Sequence, residues 1–426
     1  MRYLDGHPAT ERGQAWRLGR PARREACGII TFALATLACT APAAAQTRSA
    51  RSPLVTAIAG NTERFVLAPD ISATYDTNVL RASDARLAGS KDNIRVDPGV
   101  AVRLNRIFGR TRVSLAGRAG YDFNSRFKQL NNARIDLGTG IDTGVGSLCH
   151  IGGDARVQIQ QFELDELDVN QGGSLHIQTY GVDAGCDRPA GISPLGSVAY
   201  RKLSSDRRAL FNYDVLTYTA GLAYARPSLG ELTLTGSRSK IDRYNIAQVL
   251  GFEDNTVTDR IELALSRSVS PRLRGRLGGG YLHANPRRPG VPSFGGFSFD
   301  GEITYLPIPR FAVLASASRD AQSQAGFNAS YTIVDSYLAR VSYTITQRSA
   351  VDATFTQTRR RFRGEDPRLS IARGGDLTRN ISAGYTLDIR QTLRAGVRVG
   401  HRWRDSQNSL FDYDSTSVTV SLGARF

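Results

Sequence analysis

Residues 112–123 read RVSLAGRAGYDF. Val113, Leu115, Gly117, Ala119, Tyr121 and Phe123 fall on one face of an extended chain; Arg112, Ser114, Ala116, Arg118, Gly120 and Asp122 fall on the other. Apolar or small residues line the first face, and charges punctuate the second. Period two of this kind marks a β-strand. In a soluble sandwich the apolar face would meet a core and the polar face bulk water. A transmembrane barrel inverts that arrangement, with apolar faces toward lipid and polar faces toward a lumen.

The same alternation runs outward from this stretch, starting at Phe65 and ending at the last residue. Gln391–Trp403 sets Leu393, Ala395, Val397, Val399 and Trp403 against Arg394, Arg398 and Arg402. Ser415–Phe426 sets Val418, Val420, Leu422, Ala424 and Phe426 against Ser417, Thr419, Ser421, Gly423 and Arg425. About 18 such segments (16–18) fit the chain, each long enough to cross a tilted bilayer path. The connections alternate between short ones, such as 106–109, 226–230, 268–272, 306–310, 347–349 and 388–391, and long ones, such as 76–92, 240–254, 283–296 and 359–375. The fold expected is all-β: a transmembrane antiparallel β-barrel with short periplasmic turns and long outer loops. Aromatics support that orientation. Tyr75, Tyr121, Phe123, Tyr281 and Trp403 sit near the outer ends of lipid-facing rows, and Tyr224, Tyr305, Tyr343 and Tyr385 near the periplasmic ends. Two girdles are where amphipathic rings prefer to lie.

Residues 1–45 read as a cleaved export signal. Arg12, Arg17, Arg20, Arg23 and Arg24 precede an apolar stretch from Cys27 to Thr40, and Ala43-Ala44-Ala45 supplies small residues before Gln46. Residues 46–64 then form a short periplasmic segment, too short for a plug domain, and 65–426 the barrel. The chain carries +16 at pH 7, and the six basic and three acidic residues of the signal leave +13 beyond it. An exported protein of this charge rarely meets nucleic acid, so its partners are expected elsewhere: outer-membrane lipids, lipopolysaccharide and the assembly machinery of that membrane. After the signal no run of about 20 apolar residues occurs, so a helical span is excluded.

Two cysteines remain beyond the signal, Cys149 and Cys186. Parity points both outward at the periplasmic ends of neighbouring strands, a register suited to a disulfide in an oxidising compartment. No metal site is expected from two cysteines, and no cofactor motif occurs. His150, His176, His283 and His401 lack an accompanying serine or acid motif, so no catalytic residue is assigned and the chain is not read as an enzyme. The Gly278-Gly279-Gly280 run lies inside a strand pattern, where glycine serves packing or curvature.

The lumen is the informative surface. Inward parity collects Arg95, Arg103, Arg112, Arg118, Arg134, Arg156, Arg260, Arg274, Arg276, Arg340, Arg394, Arg398 and Arg402 as candidate anion-contacting residues. Against them stand Asp97, Asp122, Asp136, Asp142, Asp154, Glu262, Asp300, Glu302 and Asp352, and cross-strand pairing would neutralise many. A ring of the remaining arginines would favour anions. Arg359-Arg360-Arg361-Phe362-Arg363 is expected to head the most basic outer loop, facing solvent, lipopolysaccharide or a substrate.

The opening strand and loop, Pro69-Asp70-Ile71-Ser72-Ala73-Thr74-Tyr75-Asp76-Thr77-Asn78-Val79, resembles the start of the putative β-barrel porin 2 family. The terminal aromatic Phe426 resembles the C-terminal signal read by the outer-membrane assembly machinery. The family resemblance implies an outer-membrane barrel associated with exopolysaccharide production: a passive conduit for an acidic exopolysaccharide, working with periplasmic export proteins. Two other readings stay open. One is a loop-closed structural partner of the polysaccharide machinery, and the other an unspecialised, anion-preferring diffusion porin.

Overall fold

The computed structural model describes residues 64–426 except 86, 88, 162–172, 207, 208, 323–327 and 370. The expected signal (1–45) and the segment to residue 63 lie outside the described residues. The first nine strands are β1 (Arg64–Asp76), β2 (Asn93–Phe108), β3 (Thr111–Asn124), β4 (Asn132–Val145), β5 (Cys149–Gln161), β6 (Ser174–Cys186), β7 (Gly191–Ser205), β8 (Tyr213–Arg226) and β9 (Gly230–Asp242). A short helix, α1 (Tyr244–Leu250), precedes the rest. These are β10 (Thr256–Ser270), β11 (Leu273–Pro286), β12 (Phe294–Ile308), β13 (Phe311–Gln322), β14 (Tyr331–Thr346), β15 (Ser349–Arg363), β16 (Gly375–Arg390), β17 (Leu393–Ser406) and β18 (Tyr413–Ala424).

All eighteen strands form one sheet in which each pairs antiparallel with its neighbours in sequence, and β1 also pairs with β18. The sheet is therefore closed. Closure matters physically because a lipid-exposed strand edge would leave backbone N–H and C=O groups unpaired in hydrocarbon. Register at the seam runs from Asp70 opposite Gly423 to Asp76 opposite Ser417. Beyond it, the Phe426 N–H donates to the Leu67 carbonyl at 2.9 Å and the Leu67 N–H to the Phe426 carbonyl at 3.2 Å. The terminal residue thus extends the ladder that closes the barrel.

The alternation works as read. Leu137, Ile141, Val182, Ile261 and Val420 are exposed on the outside, while Asp97, Asp122 and Glu262 between or beside them are buried on the inside. Every β-even to β-odd connection is a short turn and every β-odd to β-even connection is longer, except for chain closure at β18. One expectation needs correction. Arg359–Arg363 do not head a loop: they form the outer end of β15, paired with β14 from Tyr331 opposite Arg363 and with β16 from Gly375 opposite Arg361. Two neighbouring strands of matching length hold that run extended, and local charge does not oppose it.

Cys149 and Cys186 face one another in register on β5 and β6 and are joined by a disulfide with an S–S distance of 2.09 Å. The bridge closes 37 residues of chain. Loop-closure entropy for that length stabilises the folded barrel by about 4 kcal/mol. A Cys149→Ala, Cys186→Ala double variant should unfold at lower urea by a margin of that order. Equal midpoints for the variant and the wild type with its bridge intact would contradict it.

Candidate functional site

The inward faces of β1–β5 carry the first cluster of charge. Arg118 on β3 places Nη2 2.7 Å from Asp70 on β1 and 3.1 Å from Asp97 on β2. Gly99 makes this geometry accessible, since a Cβ there would lie 2.5 Å from that nitrogen. Arg134 reaches the same Asp97 at 3.2 Å and Asp122 at 3.7 Å, and Arg95 stands 4.0 Å from Asp122. Arg156 pairs with Asp136 at 2.6 Å.

A second cluster lies on β10–β13. Arg276 bridges Glu262 at 2.7 Å and Asp300 at 2.8 Å, while Arg260 contacts Glu262 closely and Asp320 at 3.9 Å. A third spans β14–β17. Arg398 is 2.8 Å from Asp352, Arg394 is 2.6 Å from Asp388, and Arg340 donates to the Thr354 hydroxyl at 3.2 Å. Arg103, Arg112, Arg274 and Arg402 also share the inward parity. Of these, Arg112 and Arg274 make no ion pair among the described residues.

The charges therefore do not form a ring. The inward face of β6–β9 is a hydroxyl wall, with Ser197, Thr217, Thr219, Thr235, Ser237 and Ser239 along it. Its charged strand residues are Asp183, Arg201 and Glu231. β8 stands nine strands from β17 in an eighteen-strand circuit, so hydroxyls and arginines face each other across the lumen.

The outer mouth was not legible in the sequence. The connection between β1 and β2 (77–92, L1) turns into the barrel. Leu80 and Ala82, each 3% exposed, pack with Leu175, Ile177, Leu203, Tyr213 and Ile241 on the inner faces of β6–β9. L1 is braced internally: Asn78 donates to the Ala82 carbonyl at 3.0 Å and accepts from the Ala82 N–H at 3.2 Å, and Arg81 pairs with Asp76 at 2.7 Å. Burying two apolar side chains stabilises the docked loop by a few kcal/mol, about 1.5–3 for a leucine alone.

Four further outer connections meet at one guanidinium. Arg288, in the β11–β12 connection (287–293, L6), donates to the Gly364 carbonyl at 2.6 Å, to the Asn328 carbonyl at 3.3 Å and to Asp366 at 2.8 Å. Gly364 and Asp366 belong to the β15–β16 connection (364–374, L8), and Asn328 to the β13–β14 connection (L7). Asp254, at the end of the β9–β10 connection (243–255, L5), lies 4.0 Å from Arg288 and from Arg243, and accepts from the Ser330 hydroxyl at 2.7 Å. Gly364 has φ +74°, and a Cβ there would lie 2.6 Å from the Ser330 hydroxyl, so only glycine fits this junction. Arg368 and then Arg288 hold the Asp366 carboxyl well below the usual carboxylate range.

A separate concavity lies outside the lumen. About 870 Å³ opens on the outer wall between Val182, Val198, Tyr218, Ala220, Gly236 and Ile261. Those side chains lie on the bilayer-facing side of the wall, so this hollow is not part of the lumen. His150 is inward and buried, 3.7 Å from Asp183 and from Asp187, while His401 contacts the Thr416 hydroxyl at 2.9 Å beside Trp403 on the lipid-facing side of the wall.

No curated protein matches the chain. Solved barrels similar to it include Pseudomonas aeruginosa OccK1 (OpdK), 11% identical over 85% of this chain and 99% of that one with a TM-score of 0.47, and Acinetobacter baumannii OccAB3, 9% identical over 85% and 99% with a TM-score of 0.44. The barrel's own strand order, not this likeness, establishes the fold. Within the sequence, the motif at Pro69–Val79 lies outside the stretch that matches a known family. Residues 263–426, from within β10 to the last residue, match the family described as putative beta-barrel porin 2, and with the closed eighteen-strand antiparallel sheet they give this chain the architecture of a porin-like outer-membrane β-barrel.

Proposed function

We propose that the barrel is a passive conduit for an anionic saccharide polymer crossing the outer membrane. The observation that carries this reading is the pair of facing walls. Arg394, Arg398 and Arg402 recur every fourth residue on the inner face of β17, spanning roughly 26 Å at strand rise. Hydroxyls line β6–β9 opposite. A guanidinium has five N–H donors. Those of Arg394 and Arg398 that are not engaged by Asp388 and Asp352 are free to meet a passing uronate carboxylate. Partial neutralisation weakens each contact, which suits a sliding track better than one tight site. Ser and Thr hydroxyls both donate and accept, as sugar hydroxyls do.

The test is single-channel conductance of the refolded protein in a planar bilayer with a polyuronate added to one side. Anion-preferring current blocked by the polymer is expected. Replacing Arg394, Arg398 and Arg402 with glutamine should weaken that block about tenfold or more, since each charge-assisted contact is worth about 1 kcal/mol or above. An undiminished block would overturn the track. The docked L1 and the Arg288 junction favour a second reading, a loop-closed barrel that serves periplasmic polysaccharide machinery structurally. A silent wild-type protein would select it, and current indifferent to polymer would select an unspecialised diffusion porin.

A further inference from the structure

On four adjacent strands the outward face changes character at one level. β13 runs Val313, Ala315, Ala317 and then Arg319; β14 runs Tyr343, Val341, Ala339, Tyr337 and then Asp335. β15 passes from Val351, Ala353 and Phe355 to Gln357, Arg359, Arg361 and Arg363, and β16 from Tyr385, Ala383 and Ile381 to Arg379. Register aligns the change: Arg319 opposes Asp335, Asp335 opposes Arg359, and Gln357 opposes Arg379. Five arginines and the two carboxylates Asp335 and Asp405 therefore stand just beyond the apolar band, on the outer side of the barrel wall.

The carboxylates do not exhaust the charge. Asp335, 5% exposed, accepts from Arg319 at 2.6 Å and from Arg361 at 3.2 Å, which orients both guanidinium groups; Arg379 reaches Asp405 at 3.0 Å. Arg361 Nε is buried without a hydrogen-bond partner. Arg359 and Arg363 are exposed and make no ion pair among the described residues. Arg360, between them, points inward to Asp376 at 2.7 Å, so the alternation of the strand separates a structural arginine from its outward neighbours.

We infer that this patch binds the phosphate of a phosphorylated glycolipid in the outer leaflet. Its height is that of headgroups: Arg359 lies four residues beyond Phe355, roughly 13 Å along the strand and less along the membrane normal because strands tilt. Guanidinium groups recognise phosphate bidentately, and a net charge of three supplies the attraction. The polar lumen is on the other side of the sheet, so the ligand is a membrane lipid and not the transported solute.

Native mass spectrometry of the detergent-solubilised full chain tests this with four probes: bisphosphorylated lipid A, its dephosphorylated form, inorganic phosphate and a polyuronate. Wild type should retain the bisphosphorylated lipid at least tenfold more tightly than the dephosphorylated one. A triple variant, Arg359→Gln, Arg361→Gln and Arg363→Gln, should lose about tenfold or more in affinity for it, because three guanidinium groups near a charged headgroup surface are removed. Arg363→Glu alone, at an exposed strand end, should lose several-fold and guards against misfolding of the triple variant. Equal retention of both lipids, or unchanged affinity in Arg363→Glu, would overturn the site. Retention of inorganic phosphate or polyuronate that abolishes lipid binding would assign the patch to a soluble anion and overturn the lipid.

Discussion

Replacing Arg288 with methionine is expected to release four outer loops at once while leaving the barrel closed. Arg288 is 4% exposed in its side chain, and its guanidinium group touches L6's neighbours L5, L7 and L8 through Asp254, Asn328, Gly364 and Asp366. Methionine keeps much of the length and none of the donors. Among the described residues, Asp254, fully buried, would keep Arg243 at 4.0 Å and the Ser330 hydroxyl. Removing one partner of a buried ion pair typically costs 3–5 kcal/mol because the remaining charge stays desolvated. Arg368 still pairs with Asp366 at 2.6 Å, so the lower end, about 3 kcal/mol, is expected here. None of these contacts belongs to the strand ladders. The variant should therefore keep the heat-modifiable mobility of a folded barrel, gain conductance, and expose its outer loops to protease. The adjacent Arg287 is the control: it is 60% exposed, pairs with an exposed Glu253 at 3.2 Å, and its replacement should change little. Loop proteolysis equal to wild type in Arg288→Met would show that the junction does not hold the roof.

Leu80→Asp carries the second large effect. Leu80 sits in the apolar cluster that L1 makes with the inner wall of β6–β9. Losing a buried leucine removes about 1.5–3 kcal/mol, and an aspartate at the same place would also have to shed its hydration. The docked position would be disfavoured by about 100-fold or more. L1 should then leave the lumen, and single-channel current should rise relative to wild type. Val249→Asp, at a 62% exposed position on α1, controls for added charge at the outer mouth and should leave the current unchanged. If Leu80→Asp conducts as wild type does, L1 does not obstruct the path. The two variants act on separate clusters with no shared partner, so their effects on loop-docking free energy should be close to additive.

The closed barrel was legible because its signal is local. Residues 112–123 and 415–426 alternate within themselves, and strand pairing only repeats between neighbours what each strand already states. The facing of Cys149 and Cys186 followed from the same parity. Inward parity likewise located the lumen arginines, yet it could not say which carboxylate each would meet. Arg118 finds Asp70 two strands away, and Arg398 finds Asp352, because long side chains reach diagonally past the directly opposed residue. Arg359–Arg363 misled for a related reason. A run of like charge reads as loop, but strands on both sides supplied the hydrogen bonds that kept it extended.

Alternation with period two, punctuated by short and long connections, thus carried the architecture, the orientation of each side chain and the bridging of the cysteines. The first two depend on neighbours within about a dozen residues or across one turn, and the bridge on the pairing of two strands adjacent in sequence. The roof depended on something else. Leu80 meets Leu203 and Ile241, Asp254 meets Ser330, and Arg288 meets Asp366, pairs separated by 76 to more than 100 positions, each with at least one member in a loop without periodicity. Only the closed circuit of strands brings those loop ends to one rim, and only at that rim does burial of Leu80 or desolvation of Asp254 acquire an energy that selects one arrangement.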